Sequence, residues 1–368
     1  MKRSHNTVFF AAGGTGGHIY PAVALAQALL EQDPDWRIHF VGGRGMEKRI
    51  IPPLGFPLHH IAVRGVVRRL TLSNLLVPFI LIAGLLGSAV LLIKYRPGVV
   101  VGTGGYVSGP VVWTAAKLGI PTLIQEQNSK PGATTRLLAR VVDEVHLSFP
   151  ESRQAIKSAK HVVVTGNPVR SFPQIDQGAA REYFGLKKDI PTLLIFGGSQ
   201  GAHAINKIVL DALNKLMKTA QLQIIWSTGM HDRDEISEKI QPYKSRIWIG
   251  MYIEDMGQAY RACDLALTRA GALTLAELTL CRVPSILVPY PYAAANHQEI
   301  NAETLQAKGA AIVIRQDDLK ASFLIRTLEQ LFGDNERRSR MAEAAGRAAY
   351  PQATSDLVRA IIEKRERK

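Results

Sequence analysis

Short apolar runs alternate with longer stretches of helical periodicity along the whole chain. The apolar runs are rich in valine, isoleucine and leucine, as are buried strands of parallel sheets. They predict a first series of strands at residues 7–12, 36–42, 59–63, 98–104, 121–126, 144–149 and 161–166, and a second series at residues 191–197, 222–228, 246–251, 265–270, 285–290 and 310–315. Helical patterns lie between them, most clearly at residues 20–32, 131–140, 203–219 and 272–282. This alternation predicts an α/β fold of doubly wound parallel sheets with helices on both faces.

The two series begin alike, which predicts two domains of the same kind. TVFFAAGGTGGH at residues 7–18 and TLLIFGGSQGAH at residues 192–203 both read as a strand, a glycine-rich turn and a helix start. We predict two Rossmann-like domains, residues 1–168 and 169–351, followed by a basic helix over residues 352–368 for which the first domain is one packing partner. Ligands of open parallel sheets bind at the carboxyl ends of the strands, so the predicted sites lie at those edges.

Glycine-rich turns follow several predicted strands. The first, from Gly13 to His18, matches neither the dinucleotide fingerprint nor the P-loop, because Ile19 stands where a third glycine belongs and no Gly-Lys-Ser/Thr follows. A strand, a glycine turn and a helix start still present backbone N–H groups to an anion. Similar turns recur at residues 102–105, 197–201 and 269–274, and their recurrence favours phosphate binding over tight turns without a ligand.

The turn at residues 269–274 predicts a nucleotide site. The N–H groups of Ala272, Leu273 and Thr274 would point at a phosphate, and Glu277 follows one turn later. A carboxylate at that position suits a ribose diol. The alternative is an ordinary glutamate that complements the helix dipole.

Residues 75–93 contain no charged side chain, which makes this stretch long enough to cross a bilayer. The strands predicted at 59–63 and 98–104 argue against a crossing, since both belong to one sheet. Basic side chains bracket the stretch at Arg64, Arg68, Arg69, Lys94 and Arg96. An apolar helix with basic flanks predicts contact with an anionic membrane surface through residues 64–96. A buried helix and a dimer contact are the alternatives.

Length, charge and cysteine content narrow the function. The chain has 368 residues and a net charge of +14, and the basic excess lies mainly in residues 1–169, which favours an acidic partner. No nucleic-acid module is legible and aromatic residues are only 7%, so we predict no nucleic-acid partner. Two cysteines cannot form a disulfide framework. No His/Cys/Asp cluster has metal-ligand spacing, and Asp33–Asp35 and Asp232–Asp234 read as solvated loops, so we predict no bound metal.

Seven motifs together identify a family resemblance that covers residues 7 to about 315. They are GGTGGH (13–18), GGYVSGP (104–110), EQN (126–128), TGNPVR (165–170), GGSQGA (197–202), RAGALTLAE (269–277) and HQEINA (297–302). In this order they resemble the MurG family of peptidoglycan glycosyltransferases, glycosyltransferase family 28.

The resemblance implies the GT-B architecture, two Rossmann-like domains that face each other across a cleft. It implies inverting transfer of N-acetylglucosamine from UDP-N-acetylglucosamine to the C4 hydroxyl of N-acetylmuramic acid in lipid I, which gives lipid II. It also implies a peripheral enzyme on the cytoplasmic face of the bacterial cell membrane, without a cofactor and with other cell-wall enzymes as further partners. UDP-N-acetylglucosamine 2-epimerases share the two-domain plan and the donor, and an isomerase of this kind is the alternative function. A nucleotide-sugar binding module without catalysis is a third reading.

The resemblance also assigns residues to the two substrates. Donor contacts fall on Thr15, Gly16, Gly17, Asn128, Arg170, Ser199, Ile253, Ala272, Leu273, Thr274, Leu275, Ala276, Glu277 and Gln298. Within this set, Ser199 and the residues after Gly271 would meet the diphosphate, Glu277 the ribose, and the main chain of Ile253 the uracil. Acceptor contacts fall on Gly14, Gly104, Gly105 and Tyr106, and Thr15 to Gly17 also suit the lipid-linked diphosphate.

An inverting transfer needs a base for the acceptor hydroxyl and neutralisation of the departing UDP. His18 follows the first glycine turn, and a histidine ordinarily titrates at about 6.5. Glu126 ends a predicted strand and is the rival base. The sequence leaves the choice between these two catalytic candidates open.

Overall fold

A computed structural model describes residues 4–65, 76–172, 174–198, 201–219 and 221–366. The chain divides into two compact units. The first comprises Met1–Arg170 together with Tyr350–Lys368, and the second comprises Ser171–Ala349. Each unit is built on one sheet in which every strand pair is parallel.

All the predicted strands are present, and they form two sheets with Rossmann-like order. The strands are β1 Ser4–Ala12, β2 Arg37–Gly42, β3 Leu58–His60, β4 Pro97–Gly104, β5 Thr122–Glu126, β6 Glu144–Leu147, β7 Val162–Val164, β8 Thr192–Phe196, β9 Gln223–Ser227, β10 Ile247–Gly250, β11 Leu265–Thr268, β12 Ser285–Leu287 and β13 Ala311–Val313. The first sheet has the order β3-β2-β1-β4-β5-β6-β7, and the second has the order β10-β9-β8-β11-β12-β13. The predicted fold class is therefore confirmed.

Helices follow the strands, most of them as crossovers within a sheet, and α12, α13 and α14 come after the last strand. They are α1 Gly16–Gln32, α2 Glu47–Ile50, α3 Val77–Tyr95, α4 Gly105–Lys117, α5 Ala133–Leu138, α6 Gln177–Tyr183, α7 His203–Thr219, α8 Arg233–Lys239, α9 Met256–Ala262, α10 Ala272–Leu280, α11 His297–Ala307, α12 Ala321–Gly333, α13 Asn335–Ala348 and α14 Ala353–Glu366.

Each sheet has a hydrophobic core on both faces. Successive side chains of a strand point to opposite faces, so alternate residues enter different cores. In β1, Val8 and Phe10 belong to one core cluster, whereas Phe9 and Ala11 belong to the other. The second sheet is organised in the same way, with alternate residues of β8 in its two clusters. This double burial explains why the strands read as continuous apolar runs.

Helix α14 packs on the first unit, although it follows the second unit in sequence. Leu357 and Ile361 are buried in the same cluster as Phe10. At its end, Lys364 Nζ lies 2.8 Å from Glu144 Oε2. The His146 side chain lies on the other carboxylate oxygen, with Nε2 3.4 Å from Oε1.

The contact between Lys364 and Glu144 predicts a pH-dependent stability. A hydrogen bond from His146 and, next, the hydrogen bond and charge of Lys364 lower the pKa of Glu144 from 4.5 to about 2. At 3.4 Å the His146 contact is long, so we regard the Lys364 ion pair as the stronger of the two. Because the pKa of Glu144 is lower in the folded protein than its ordinary value of 4.5, the ionised carboxylate stabilises the fold above that pH. This stabilisation is lost as the pH falls from 4.5 towards 2.

We expect Lys364→Met to lower the free energy of unfolding by about 1–2 kcal/mol at neutral pH. The variant should also lose less stability than the wild type as the pH falls from 4.5 to 2. Calorimetric unfolding across that range measures the effect. Arg359→Met, which breaks an exposed pair with Asp356 on the same helix, is the matched control and should cost less than about 0.5 kcal/mol. Equal losses in the two variants would contradict the prediction.

Helix α3 is the crossover between β3 and β4, and a narrow stripe of it packs on α4 and on the segment that follows β3. Its buried residues are Gly84, Ser88 and Leu92, each one helical turn from the next. A Cβ added to Gly84 would lie 2.5 Å from the carbonyl oxygen of Ala62, so only glycine permits this close approach. The small residues Gly84 and Ser88 bring the helix backbone close to the segment after β3, and most of the helix surface stays outside the core.

The opposite side of α3 is a stripe of large apolar residues in solvent. Phe79 is 71% exposed, Leu86 63% and Val90 65%, and Ile82 and Ile93 lie on the same stripe. Among the described residues, α3 is the one helix long and apolar enough to cross a membrane, judged by length and composition. Of the predicted basic flank, Arg68 and Arg69 lie outside the described residues, whereas Lys94 and Arg96 follow the stripe directly and are exposed.

Candidate functional site

The first glycine turn connects β1 to α1 at the carboxyl edge of the first sheet. Gly14 has a φ of 87°, a conformation that favours glycine, and Thr15 is extended. No side-chain hydrogen bond caps α1, whose first residue is Gly16. The backbone of Thr15 to Gly17 therefore lies at a helix start without a capping side chain, as an anion site requires.

The second turn, at Gly104 and Gly105, packs directly on the first. Both residues have positive φ, 111° and 79°. A Cβ at Gly104 would clash with the ring of His18, and one at Gly105 would clash with the carbonyl of Gly13. The close packing of the two turns therefore requires glycine at these two positions, which the family resemblance assigned to the acceptor. Tyr106 follows them and is 54% exposed.

We expect Gly104→Ala to displace the His18 ring. Since misplacement of a reacting group by about 1 Å can cost about 100-fold in rate, kcat should fall at least tenfold. Gly55→Ala is the matched control, because Gly55 lies in the same unit with a φ of 83° and no neighbour within 4 Å. Both variants should lose about 1–2 kcal/mol of stability through backbone strain. Steady-state kinetics measures the difference, and a Gly104→Ala enzyme with full kcat would refute the role of the close packing.

His18 is held from two sides at the start of α1. The Thr103 hydroxyl donates to the His18 carbonyl oxygen (2.7 Å), and His18 Nδ1 lies 3.0 Å from Gln127 Oε1. The residue is half-buried, and its ring lies at the carboxyl ends of β1, β4 and β5. The structure thus brings His18 together with both glycine turns of the first unit.

Glu126 occupies the same edge, but its carboxylate is fully engaged by its own loop. It is 3% exposed. Oε1 accepts from the N–H and side-chain amide of Asn128 (3.1 and 3.3 Å), and Oε2 accepts from the N–H of Gly132 (3.0 Å) and the hydroxyl of Thr135 (2.6 Å). Four donors on one buried carboxylate shape the loop that follows β5 and orient Asn128.

Glu47 also lies at this edge, although nothing in the sequence pattern marks it as a site residue. It is 2% exposed, and its two oxygens accept from the N–H groups of Gly14 (3.3 Å) and Gly45 (3.1 Å). A Cβ at Gly42 would lie only 2.7 Å from its Cγ. The Glu47 carboxylate therefore supports the first glycine turn from below, in a pocket that glycines leave open.

In the second unit, α10 begins directly after β11 with a glycine turn. Gly271 is the N-cap residue and has no side chain to cap the helix, whose first turn runs from Ala272 through Leu273 and Thr274. Leu275 is buried and Ala276 half-buried behind these residues. The predicted phosphate-binding backbone is therefore a helix start at the carboxyl edge of the second sheet.

Glu277 lies one turn into α10 and has a fixed side chain. The Tyr260 hydroxyl donates to Glu277 Oε2 (2.7 Å), and Tyr260 is itself buried between Phe172 and Phe196. Ile253, for which a main-chain contact with uracil is predicted, follows β10 and is 2% exposed. Tyr260, which positions the carboxylate, carries no motif in the sequence that would have predicted this role.

Arg269 and Gln298 fix the loop that follows β12. Arg269 is 8% exposed and donates to the carbonyl oxygens of Val288 and Pro289 and to the side chain of Gln316. The Tyr290 N–H donates to Gln298 Oε1 (2.9 Å). The Arg269 guanidinium places a fixed positive charge two residues before Gly271.

Arg170 and Ser199 are the remaining predicted donor residues. Arg170 is exposed at the end of the first segment of the first unit. Ser199 lies outside the described residues. The neighbouring Gly198 and Gly201 have φ of 87° and 77°, which is the glycine geometry that the sequence predicts for this turn.

The described residues contain no group of three or more His, Cys, Asp or Glu side chains that could hold a metal ion. The prediction that Asp232 lies in a solvated loop is wrong. Asp232 is 8% exposed and accepts from the side chains of His203 (2.8 Å) and Asn206 (2.7 Å). Its carboxylate is part of the core that supports α7.

Family models match both units. The Glycosyltransferase family 28 N-terminal domain matches residues 8–147, and the Glycosyltransferase family 28 C-terminal domain matches residues 192–357. The two matches together cover most of the chain and include each of the edges described above.

Curated relatives match over nearly their full length. The chain is 46% identical over 360 residues to a protein of Chlorobaculum parvum named UDP-N-acetylglucosamine–N-acetylmuramyl-(pentapeptide) pyrophosphoryl-undecaprenol N-acetylglucosamine transferase, with 96% of this chain and 98% of that protein covered. A protein of the same name from Acetivibrio thermocellus is 40% identical over 357 residues, with 96% and 97% covered.

Solved structures give the same picture. The crystal structure of Acinetobacter baumannii MurG matches with a TM-score of 0.78 and 30% identity, covering 97% of this chain and 99% of that one. A putative UDP-N-acetylglucosamine 2-epimerase from Listeria monocytogenes matches with a TM-score of 0.69 at 15% identity, covering 100% and 98%. The likeness to the epimerase concerns the fold alone.

Proposed function

The chain belongs to glycosyltransferase family 28, and from this we propose that it transfers N-acetylglucosamine from UDP-N-acetylglucosamine to the C4 hydroxyl of N-acetylmuramic acid in lipid I, giving lipid II. The observation that carries the proposal is the 46% identity over 96% of the chain to a transferase of that name. The epimerase alternative has weaker support, because it depends on a likeness at 15% identity.

We propose that the second unit binds the nucleotide sugar. The start of α10 offers backbone N–H groups to the diphosphate, and the positive end of the helix dipole favours the charge that develops on the departing UDP. Arg269 adds a fixed cation two residues before the helix turn. The Glu277 carboxylate, oriented by Tyr260, accepts from the ribose hydroxyls.

In this proposal the reaction uses no bound metal ion. The helix start and Arg269 supply positive charge for the diphosphate, and the described residues lack a cluster of metal-binding side chains. The transfer should therefore proceed at undiminished rate in the presence of a chelator.

We propose that His18 is the general base. It lies between the two glycine turns that would hold the acceptor diphosphate, and it has one ring nitrogen on Gln127. Glu126 is less suited, since both of its oxygens already accept two hydrogen bonds each from its own loop. Its part in the proposal is to orient Asn128 towards the donor sugar.

We further propose that the exposed stripe of α3 rests on the anionic cytoplasmic face of the cell membrane. The stripe is apolar over its length, and Lys94 and Arg96 at its end suit lipid phosphates. The arrangement favours an interfacial helix over a spanning one, because β3 and β4 on either side of α3 belong to the same sheet. The lipid tail of the acceptor would enter from that surface.

Product analysis tests the proposed reaction. The protein is incubated with UDP-N-acetylglucosamine and a water-soluble lipid I analogue, and the products are identified by mass spectrometry. We expect a disaccharide product and stoichiometric UDP. In a parallel reaction without acceptor, the sugar nucleotide should stay unchanged. Formation of UDP-N-acetylmannosamine there would overturn the proposal in favour of the epimerase.

A further inference from the structure

Gln127 is a buried amide whose orientation the surrounding oxygens dictate. It is 3% exposed. Its Nε2 lies 2.6 Å from the carbonyl oxygen of Thr103, 3.2 Å from that of Gln125 and 2.5 Å from Gln125 Oε1. Backbone carbonyl oxygens can only accept hydrogen bonds, so the NH₂ end of the amide must face them. The other end, Oε1, is therefore the atom that faces His18.

A second layer of amides holds Gln127 in the same sense. Asn167 donates from Nδ2 to the Gln127 carbonyl oxygen (3.1 Å), and this fixes the direction of its side chain. Asn167 Oδ1 then accepts from Gln125 Nε2 (3.1 Å), which turns Gln125 Oε1 towards Gln127. Ser148 also accepts from Gln125 Nε2 (2.9 Å), since its own hydrogen goes to the Glu126 carbonyl oxygen. These contacts fix which end of each amide is the oxygen and which is the nitrogen, because the reversed orientation would place two donors or two acceptors opposite each other.

The direction of this chain determines where the proton sits on His18. Gln127 Oε1 is an acceptor and lies 3.0 Å from His18 Nδ1, so Nδ1 must carry a hydrogen. In a neutral imidazole the other nitrogen, Nε2, then has the lone pair. The ring cannot easily rotate away, because its Nδ1 edge packs against the Cα of Gly104, where a Cβ would clash.

We propose that Gln127 is a positioning residue that holds neutral His18 in the Nδ1–H tautomer and so leaves Nε2 free to take the proton of the acceptor hydroxyl. The inference rests on the proposed role of His18 as the base. In the transfer, the acceptor oxygen attacks the anomeric carbon of the sugar, the bond from that carbon to the UDP oxygen breaks with its electron pair, and the hydroxyl proton moves to Nε2. Gln127 accepts one hydrogen bond from Nδ1–H before and after that step.

Nitrogen NMR of the wild-type protein tests the tautomer without any change to Gln127. The protein is labelled with ¹⁵N-histidine, and His18→Asn identifies the His18 signals. At a pH where the ring is neutral, we expect a pyrrole-type shift for Nδ1 and a pyridine-type shift for Nε2. A pyrrole-type Nε2 in the wild-type ring would overturn the inference, whatever the activity.

Gln127→Met tests the consequence for catalysis. A methionine of similar length removes the acceptor, and a free neutral imidazole prefers the Nε2–H tautomer, so Nε2 should become pyrrole-type. We expect kcat to fall about 10- to 100-fold, within the range that general-base catalysis supplies, with the KM for UDP-N-acetylglucosamine within about twofold of wild type. A variant that keeps the wild-type kcat would overturn the inference.

Gln223→Met is the matched control for lost packing. Gln223 is a fully buried amide in the second unit that donates to the carbonyl oxygens of Lys187 and Ile190. It should lose stability as Gln127→Met does, yet keep the His18 signals of the wild type. If His18→Ala keeps full kcat, the proposed base role fails, and that result is distinct from a wrong tautomer in the wild-type spectrum.

Discussion

Replacing His18 with alanine should lower kcat about 10²- to 10⁴-fold, the contribution of a general base. The acceptor hydroxyl has a high pKa, so it is a weak nucleophile until its proton is removed as it attacks. The His18 ring is the titratable group between the two glycine turns of the first unit. The groups proposed to hold the diphosphate and ribose, at the start of α10 and at Glu277, belong to the other sheet. The KM for UDP-N-acetylglucosamine should therefore change by less than about threefold. Steady-state kinetics with a soluble acceptor measures both constants.

Two controls make this result specific. His161→Ala removes an exposed histidine of the same unit and should leave kcat unchanged. Glu126→Gln keeps the size of the rival base but turns an acceptor into a donor opposite Gly132 or Asn128. It should lower stability by about 1–3 kcal/mol through unmatched buried hydrogen bonds, with a smaller loss of kcat than in His18→Ala. An active His18→Ala protein beside an inactive, folded Glu126→Gln protein would assign the base to Glu126.

The hydrophobic pattern was sufficient to predict the sheets. Parallel strands are buried on both faces, so residues 8–12 of β1 and 193–196 of β8 read as unbroken apolar runs, and the glycines after them mark the carboxyl edge where ligands bind. Predicted boundaries differ from the observed ones mostly at the ends. The strand predicted at 59–63, for example, is β3 Leu58–His60, because the chain after it leaves the sheet towards α3.

The supporting residues of the site could not be predicted in the same way. Gln127 is the middle residue of the EQN motif, but its proposed role depends on contacts that the motif does not show. Its side chain donates to the carbonyls of Thr103 and Gln125, and its own carbonyl accepts from Asn167, 40 residues later in the sequence. Glu47 supports a turn that lies 33 residues before it. Long-range hydrogen bonds of this kind have no periodicity, so the sequence shows the residue type but not its partner.

The sequence position of Glu126 is compatible with two different roles. A carboxylate at the end of a strand, beside a glycine-rich edge, fits both a base and a loop support. Only the positions of Asn128, Gly132 and Thr135 distinguish these roles, because Oε1 accepts from Asn128 and Oε2 accepts from Gly132 and Thr135. Similarly, the sequence of α3 is apolar all round and does not reveal which face is buried against the first unit.

The exposed stripe of α3 gives the second large effect. Leu86→Glu combined with Val90→Glu places two charges at the centre of the stripe, at residues that are 63% and 65% exposed and make no part of the core. Fully burying a leucine or valine side chain contributes about 1.5–3 kcal/mol. Losing two partly embedded side chains and adding two charges should therefore reduce binding to phosphatidylglycerol vesicles about 30- to 100-fold. Vesicle cosedimentation measures the binding.

The same double variant should keep the wild-type kcat on a water-soluble acceptor, because neither residue lies at the carboxyl edge of the sheet. Its activity on a lipid-linked acceptor in vesicles should fall with the binding. Gln27→Glu with Gln32→Glu adds the same charge to exposed positions of α1 and is the matched control, with only the modest loss expected from net charge. If the α3 variant binds vesicles as tightly as this control does, the membrane contact lies elsewhere on the molecule. Because a spanning helix would resist extraction, release of wild-type protein by alkaline carbonate is the accompanying result that an interfacial α3 requires.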